Sequence, residues 1–83
     1  MTLQQLEYID AVFRFRHFAK AAEYCGVTQP TLSAMIQKLE AELDVKLFER
    51  SSQQVLPTSI GTIIVNQARR VLYEAKRLKN LVA

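Results

Sequence analysis

Between Thr28 and Glu40 the chain carries a run of short polar side chains suited to hydrogen bonding along a nucleic acid. Leu32, Met35, Ile36, Leu39 and Leu43 recur at helical spacing and form one apolar stripe. Gln29, Thr31, Ser33, Ala34, Gln37 and Lys38 fall off that stripe and share the outer face, which meets no acidic residue before Glu40. An ordinary solvated helix face more often mixes Glu with Lys. This face can approach base edges and phosphates without like-charge repulsion. A glutamine amide pairs with adenine through two hydrogen bonds, and a hydroxyl meets several bases. Lys38 is the phosphate candidate on the helix. The helix start offers unpaired N–H groups to a phosphate as well.

Other chemistries find less support. His17 and Cys25 are the single histidine and the single cysteine. Neither has a second ligand for a metal, and no nucleophile–base pair or glycine-rich phosphate loop is present in the sequence. We therefore expect no cofactor, no metal and no catalysis. Cys25 reads as a packing residue and His17 as a residue that shapes the start of a helix. Phe13, Phe15, Phe18 and Phe48 read as core, not as a stacking surface for single strands. Arg14, Arg16, Lys20 and Lys46 are secondary candidates for the phosphate backbone. Arg69, Arg70, Lys76, Arg77 and Lys79 read as a solvated face, with Glu74 able to pair with Arg70 four residues away.

The elements that must position the polar face follow from caps and periodicity. Thr2 and Gln5 form a possible capping box, after which Leu3, Leu6, Ile9, Val12 and Phe13 predict a helix over about 2–15. His17-Phe18 opens a short second helix with Ala21, Ala22 and Tyr24, which Gly26 ends. Thr28 caps a third helix to Leu43, Pro30 sits in its first turn and Asp44 takes the stop position. Two helices meeting at a steep angle need small residues at the crossing, a glycine-like turn and apolar locks. Ala21, Ala22, Cys25, Gly26, Val27, Leu32 and Met35 supply each of these in order. Lys46–Arg50 and Gln54–Leu56 then read as strands of a small hairpin around Ser51-Ser52-Gln53, closed by Pro57-Thr58.

Thr58 caps a last helix from about Ser59 to the end, roughly 35 Å long. Along it Gly61, Ile64, Ala68, Val71, Ala75, Leu78 and Val82 lie alternately three and four residues apart, the narrow seam of a helix that pairs with another helix. Val65 and Leu72 widen the stripe near its start. The fold class expected is mainly α: a winged helix-turn-helix, with a three-helix core and a small β-hairpin wing, followed by a long C-terminal dimerisation or linker helix. Residues 1–57 make the DNA-binding unit and 58–83 the dimerisation helix.

With 83 residues the chain forms one small domain, for which a partner subunit would be useful support. A 49% hydrophobic share beside 23% charged residues is a globular balance. The formal charge of +3 permits nucleic-acid binding without demanding it. No apolar run approaches the roughly 18 residues of a membrane span, and no basic start precedes an apolar stretch. With one cysteine, these features lead us to expect a reducing cytoplasm and no membrane partner.

The order of elements and the runs QPTLSAMIQKLEAEL, LFER and LPTSIG resemble the N-terminal domain of the LysR-type transcriptional regulators. Arg16-His17-Phe18, Ala21-Ala22, Cys25, Gln29–Ser33, Gln67–Arg69, Val71-Leu72 and Glu74 are most similar to its peroxide-sensing OxyR subgroup. The resemblance covers essentially the whole chain. It implies double-stranded DNA with an interrupted inverted repeat as partner, helix 28–43 in the major groove and wing 46–57 on the backbone or minor groove. It also implies a homodimer through the last helix, a tetramer for the full-length regulator, and an effector-binding domain outside this chain. Gln29, Pro30, Thr31, Ser33, Ala34 and Lys38 match the family's recognition positions, with Thr28 and Gln37 as additions. Arg50, Ser52, Gln53 and Thr58 are the wing candidates. Ile64, Ala68, Val71, Leu72, Ala75, Leu78 and Val82 are the dimerisation candidates. Gln53 and Gln54 stand where relatives often carry basic residues, and Ile60 where a small residue is usual. The alternative is a winged-helix module that binds protein.

Overall fold

A computed structural model describes residues 1–51 and 54–82. Helix α1 spans Leu3–Phe15 and opens on the expected capping box: the Gln5 amide donates to Thr2 Oγ1 at 3.1 Å and the Thr2 amide to Gln5 Oε1 at 2.9 Å. Helix α2 is Phe18–Cys25. His17 caps it, its Nδ1 accepting from the Lys20 amide at 3.1 Å, which is the shaping role read from sequence. Gly26 ends α2 in the left-handed region at φ 72°. Helix α3, Gln29–Leu43, starts on Thr28 with Pro30 in its first turn and ends on Asp44, also left-handed at φ 55°.

The wing pairs β1, Phe48–Arg50, with β2, Val55–Pro57, antiparallel. Both strands differ from the predicted 46–50 and 54–56. Lys46 and Leu47 stay outside β1 because the Leu47 backbone is committed elsewhere. Its N–H donates to the Glu40 carboxylate at 2.7 Å, and its carbonyl accepts from the Thr58 amide at 3.0 Å. Pro57 does not close the hairpin but belongs to β2, opposite Phe48. Ser51 donates its amide to the Gln54 carbonyl at 2.9 Å, while Ser52 and Gln53 lie outside the described residues.

Helix α4 runs Ser59–Asn80, so Val82 falls beyond it. Gly61 lies against the wing's base, not on a seam: a Cβ there would run into the Leu47 carbonyl oxygen. Helix α1 packs against α2, α3 and α4, and the largest fully buried side chains are Ile9, Val12, Leu32, Leu39, Leu47 and Val65. Each such burial is worth roughly 1.5–3 kcal/mol. The core thus joins every helix to the base of the wing and leaves the outer face of α3 uncovered. Among the described residues no helix is long and apolar enough to cross a membrane.

Candidate nucleic-acid interface

Thr28, Gln29, Pro30, Thr31, Ala34, Gln37 and Lys38 are all exposed, and Ser33 is half-buried at the edge facing the wing. This placement follows from the inward pull of Leu32, Ile36 and Leu39, which rotates the polar residues outward. The start of α3 is more fully satisfied than the sequence suggests. Thr28 Oγ1 accepts from the Thr31 amide at 3.3 Å and donates to Thr31 Oγ1 at 2.9 Å. The Leu32 amide reaches the Thr28 carbonyl, and Pro30 has no N–H. Among the described residues, the Gln29 amide is the first-turn donor left for a phosphate. The Thr31 hydroxyl, whose oxygen already accepts, keeps its proton to donate outward.

The wing reaches α3 through Arg50. Its Nη2 donates to Ser33 Oγ at 2.8 Å, and its guanidinium stacks 4.0 Å from the centre of the Phe18 ring. One arginine therefore ties β1 to both helices of the helix-turn-helix, and among the described residues its other N–H groups have no partner. A shallow groove beside it, between α3 and β1, is edged by Gln37, Glu40, Lys46 and Glu49. Glu40 is not a loose negative charge there, since its carboxylate holds the Leu47 and Phe48 amides at 2.7 and 3.5 Å. Thr58 differs from the other wing candidates. Its hydroxyl donates to the Lys46 carbonyl at 2.6 Å and accepts from the Gly61 amide at 2.9 Å, so it serves as an α4 cap. Ser52 and Gln53 are outside the described residues.

Several basic side chains read as secondary contacts or solvated residues are engaged within the chain. Arg14 lies 5.3 Å from the Tyr24 ring centre. Arg16 donates through Nε to the Phe13 carbonyl at 2.8 Å. Arg69 is not simply solvated: it pairs with Asp10 at 2.6 Å and lies over Phe13, bracing α4 against α1. Glu74 pairs with Arg77 at 3.1 Å rather than with Arg70. Cys25 packs against the core, and burial, then the charges of Glu7 and Asp10, raise its thiol pKa. Among the described residues no group of three His, Cys, Asp or Glu could hold a metal.

On α4 the apolar residues divide between two faces. Gly61, Val65 and Ala68 are buried within the chain, with Leu72 half-buried beside them. Ile60, Ile63, Val71 and Leu78 are exposed, and Ile64 and Ala75 lie between the two sets. Ala68, at 3% exposure, faces its own domain. Ile60 and Ile63 extend the free face and are absent from the sequence-derived set. Their clue was the three- and four-residue spacing of Ile60 to Ile64 and Ile63.

The family model described as "Bacterial regulatory helix-turn-helix protein, lysR family" matches residues 3–62. The DNA-binding transcriptional dual regulator OxyR of Escherichia coli K12 is 51% identical over all 83 residues, which cover 27% of that regulator. A full-length OxyR variant from Pseudomonas aeruginosa superposes with a TM-score of 0.95 at 48% identity, over 99% of this chain and 28% of that one. The CbnR DNA-binding domain in its DNA complex superposes with a TM-score of 0.94 at 36% identity, over 99% of this chain and 94% of that one. The chain therefore spans little more than a quarter of the length of the full-length regulators it resembles.

Proposed function

The chain belongs to the lysR family of bacterial regulatory helix-turn-helix proteins, and we propose that it reads duplex DNA as a dimer, with α3 in the major groove. The observation that carries this reading is the acid-free polar face of α3, held outward by a buried stripe in a fold shared with a DNA-complexed domain. Gln29, Thr31, Ser33 and Gln37 meet base edges, with Ala34 leaving room for them. Pro30 and Thr28 shape the approach. Lys38, Arg50 and the Gln29 amide hold phosphates, and Ser52 and Gln53 extend the wing's contact. In this reading residues 1–57 bind DNA and the segment 58–83 pairs two copies, with Ile64, Val71, Ala75 and Leu78 of α4 at the contact. Two copies then present two recognition helices to half-sites about 34 Å apart. The target is an interrupted inverted repeat, the role is transcriptional regulation and not catalysis, and the compartment is the cytoplasm.

Similarity to OxyR extends the proposal for the whole regulator to a hydrogen peroxide response. A relative from Haemophilus influenzae, 48% identical over the same 83 residues, is named a hydrogen peroxide-inducible genes activator. Sensing would reside outside this chain, whose one cysteine packs in the helix-turn-helix.

The test is fluorescence anisotropy with labelled duplexes, an inverted repeat beside a scrambled one, at several salt concentrations. Tight binding to the repeat is expected, with log affinity falling by about 0.9 per neutralised phosphate per unit log salt. Ser33→Glu places a carboxylate on the reading face and is expected to abolish it. Equal weak binding to both duplexes leaves only a generic basic surface and overturns the sequence-reading function, and no binding at low salt favours a protein-binding module.

A further inference from the structure

The Ser33–Arg50 contact has a polarity that hydrogen-bond chemistry determines. A guanidinium carries donors and no acceptor. In the 2.8 Å contact between Arg50 Nη2 and Ser33 Oγ, the serine oxygen must therefore accept. Ser33 Oγ has no other partner among the described residues. Its hydroxyl proton is thus turned away from Arg50 and left to donate. Arg50 itself is held in place by the Phe18 ring, 4.0 Å from its guanidinium carbon, and by β1, whose last residue it is.

From this juxtaposition we propose that Arg50 is a positioning residue for base reading: by occupying one lone pair of Ser33 and placing a positive charge beside the other, it biases Ser33 toward donating and so sets the base that Ser33 selects. The inference rests on the duplex-reading function above. A free serine hydroxyl donates or accepts and discriminates little. A serine whose proton is directed away from a guanidinium favours the acceptors of the major groove, N7 of a purine, O6 of guanine and O4 of thymine. It disfavours the N4 amino group of cytosine, because the one lone pair left on Ser33 lies beside the Arg50 charge and is a poor acceptor for a further N–H. The wing thereby contributes to sequence preference without touching a base, and the 17-residue separation between Ser33 and Arg50 hides the link from local sequence reading.

The test uses a duplex selected for tight binding to the chain from a randomised inverted-repeat library, together with every single base-pair variant of its half-site. Kd values are compared for the parent chain, Ser33→Ala, Arg50→Met and the double variant. Methionine keeps an unbranched apolar stem against Phe18 but has no donor. Circular dichroism melting confirms that each variant folds. The parent is expected to prefer acceptor-bearing bases over cytosine by about 5- to 10-fold at one base pair, the worth of one net hydrogen bond. Ser33→Ala and Arg50→Met are each expected to flatten the preference at that same base pair, and the double variant to flatten it no further. If Arg50→Met weakens all duplexes alike and preserves the preference, Arg50 is a phosphate contact alone and the proposal fails. If the parent shows no base preference anywhere, the duplex-reading function itself fails, a separate and recognisable result.

Discussion

Cys25 and Glu40 show how single side chains in this domain are defined by what surrounds them. The Cys25 thiol lies against the core near Glu7 and Asp10, and burial together with those charges raises its pKa above the ordinary thiol value. The thiolate is the reactive form, so alkylation by iodoacetamide at pH 8 is expected to be slower in the folded chain than in the urea-unfolded chain. The linked effect on stability follows in sign. The unfolded chain loses this proton at lower pH than the folded one, so the contribution is complete below the unfolded thiol pKa and is lost as pH rises through the folded one. Denaturant midpoints measured from pH 7 to 10 are expected to fall more for the parent chain than for Cys25→Ala. Glu40 acts through hydrogen bonds. Its carboxylate satisfies the amide of Leu47, a fully buried residue, and reaches that of Phe48. Glu40→Ala is expected to cost about 1–3 kcal/mol by leaving a buried donor unpaired, and Glu40→Gln, which keeps an acceptor oxygen, clearly less. Urea unfolding of both variants checks the difference.

At the scale of elements, the join between wing and α4 is the tightest fit. The first turn of α4 passes so close to Leu47 that a Cβ on Gly61 meets a backbone carbonyl, which has no room to yield as a flexible side chain would. Gly61→Ala is expected to destabilise the domain by about 1–3 kcal/mol despite alanine's better helix propensity, and thermal unfolding reads the sign directly. The helices themselves were legible in sequence because their ends are chemical: Thr2, His17, Thr28 and Thr58 each cap through a side chain, and Gly26 stops α2. The outward face of α3 was legible for the same local reason, since one apolar stripe defines its opposite. The strand limits were not, because Leu47 is withheld from the hairpin by partners seven residues before it and eleven after. The sequence marks Thr58 both as the α4 cap and as a wing residue, and in the fold its hydroxyl makes the cap while donating to the Lys46 carbonyl. Arg50 was identifiable as a wing cation, but its partner on α3 is a tertiary fact.

The whole molecule raises the question that α4 poses by having two apolar faces. Three- and four-residue spacing describes both at once, so sequence alone merges Ala68 and Leu72 with Val71 and Leu78, whereas the fold separates them. Val71 and Leu78 are 40% and 69% exposed, against 3% for Ala68, and these values decide where a charge can be introduced without unfolding the domain. Val71→Glu puts a carboxylate on the free face one turn from Glu74, where two facing helices would bring like charges together. It is expected to leave the melting temperature of the monomer nearly unchanged and to abolish dimers in sedimentation equilibrium. Ala68→Glu buries an unpaired charge against α1 and is expected to unfold the domain. The consequence for DNA follows from linkage of two sites. Pairing makes the second half-site contact intramolecular, a gain of up to 10²–10⁴ in affinity where geometry allows both to engage. Val71→Glu is therefore expected to bind a single half-site as well as the parent chain does, while losing most of the advantage of the paired site. Anisotropy titrations on one-half-site and two-half-site duplexes separate the terms. If Val71→Glu keeps the paired-site advantage and still sediments as a dimer, the two copies meet through a surface other than the free face of α4.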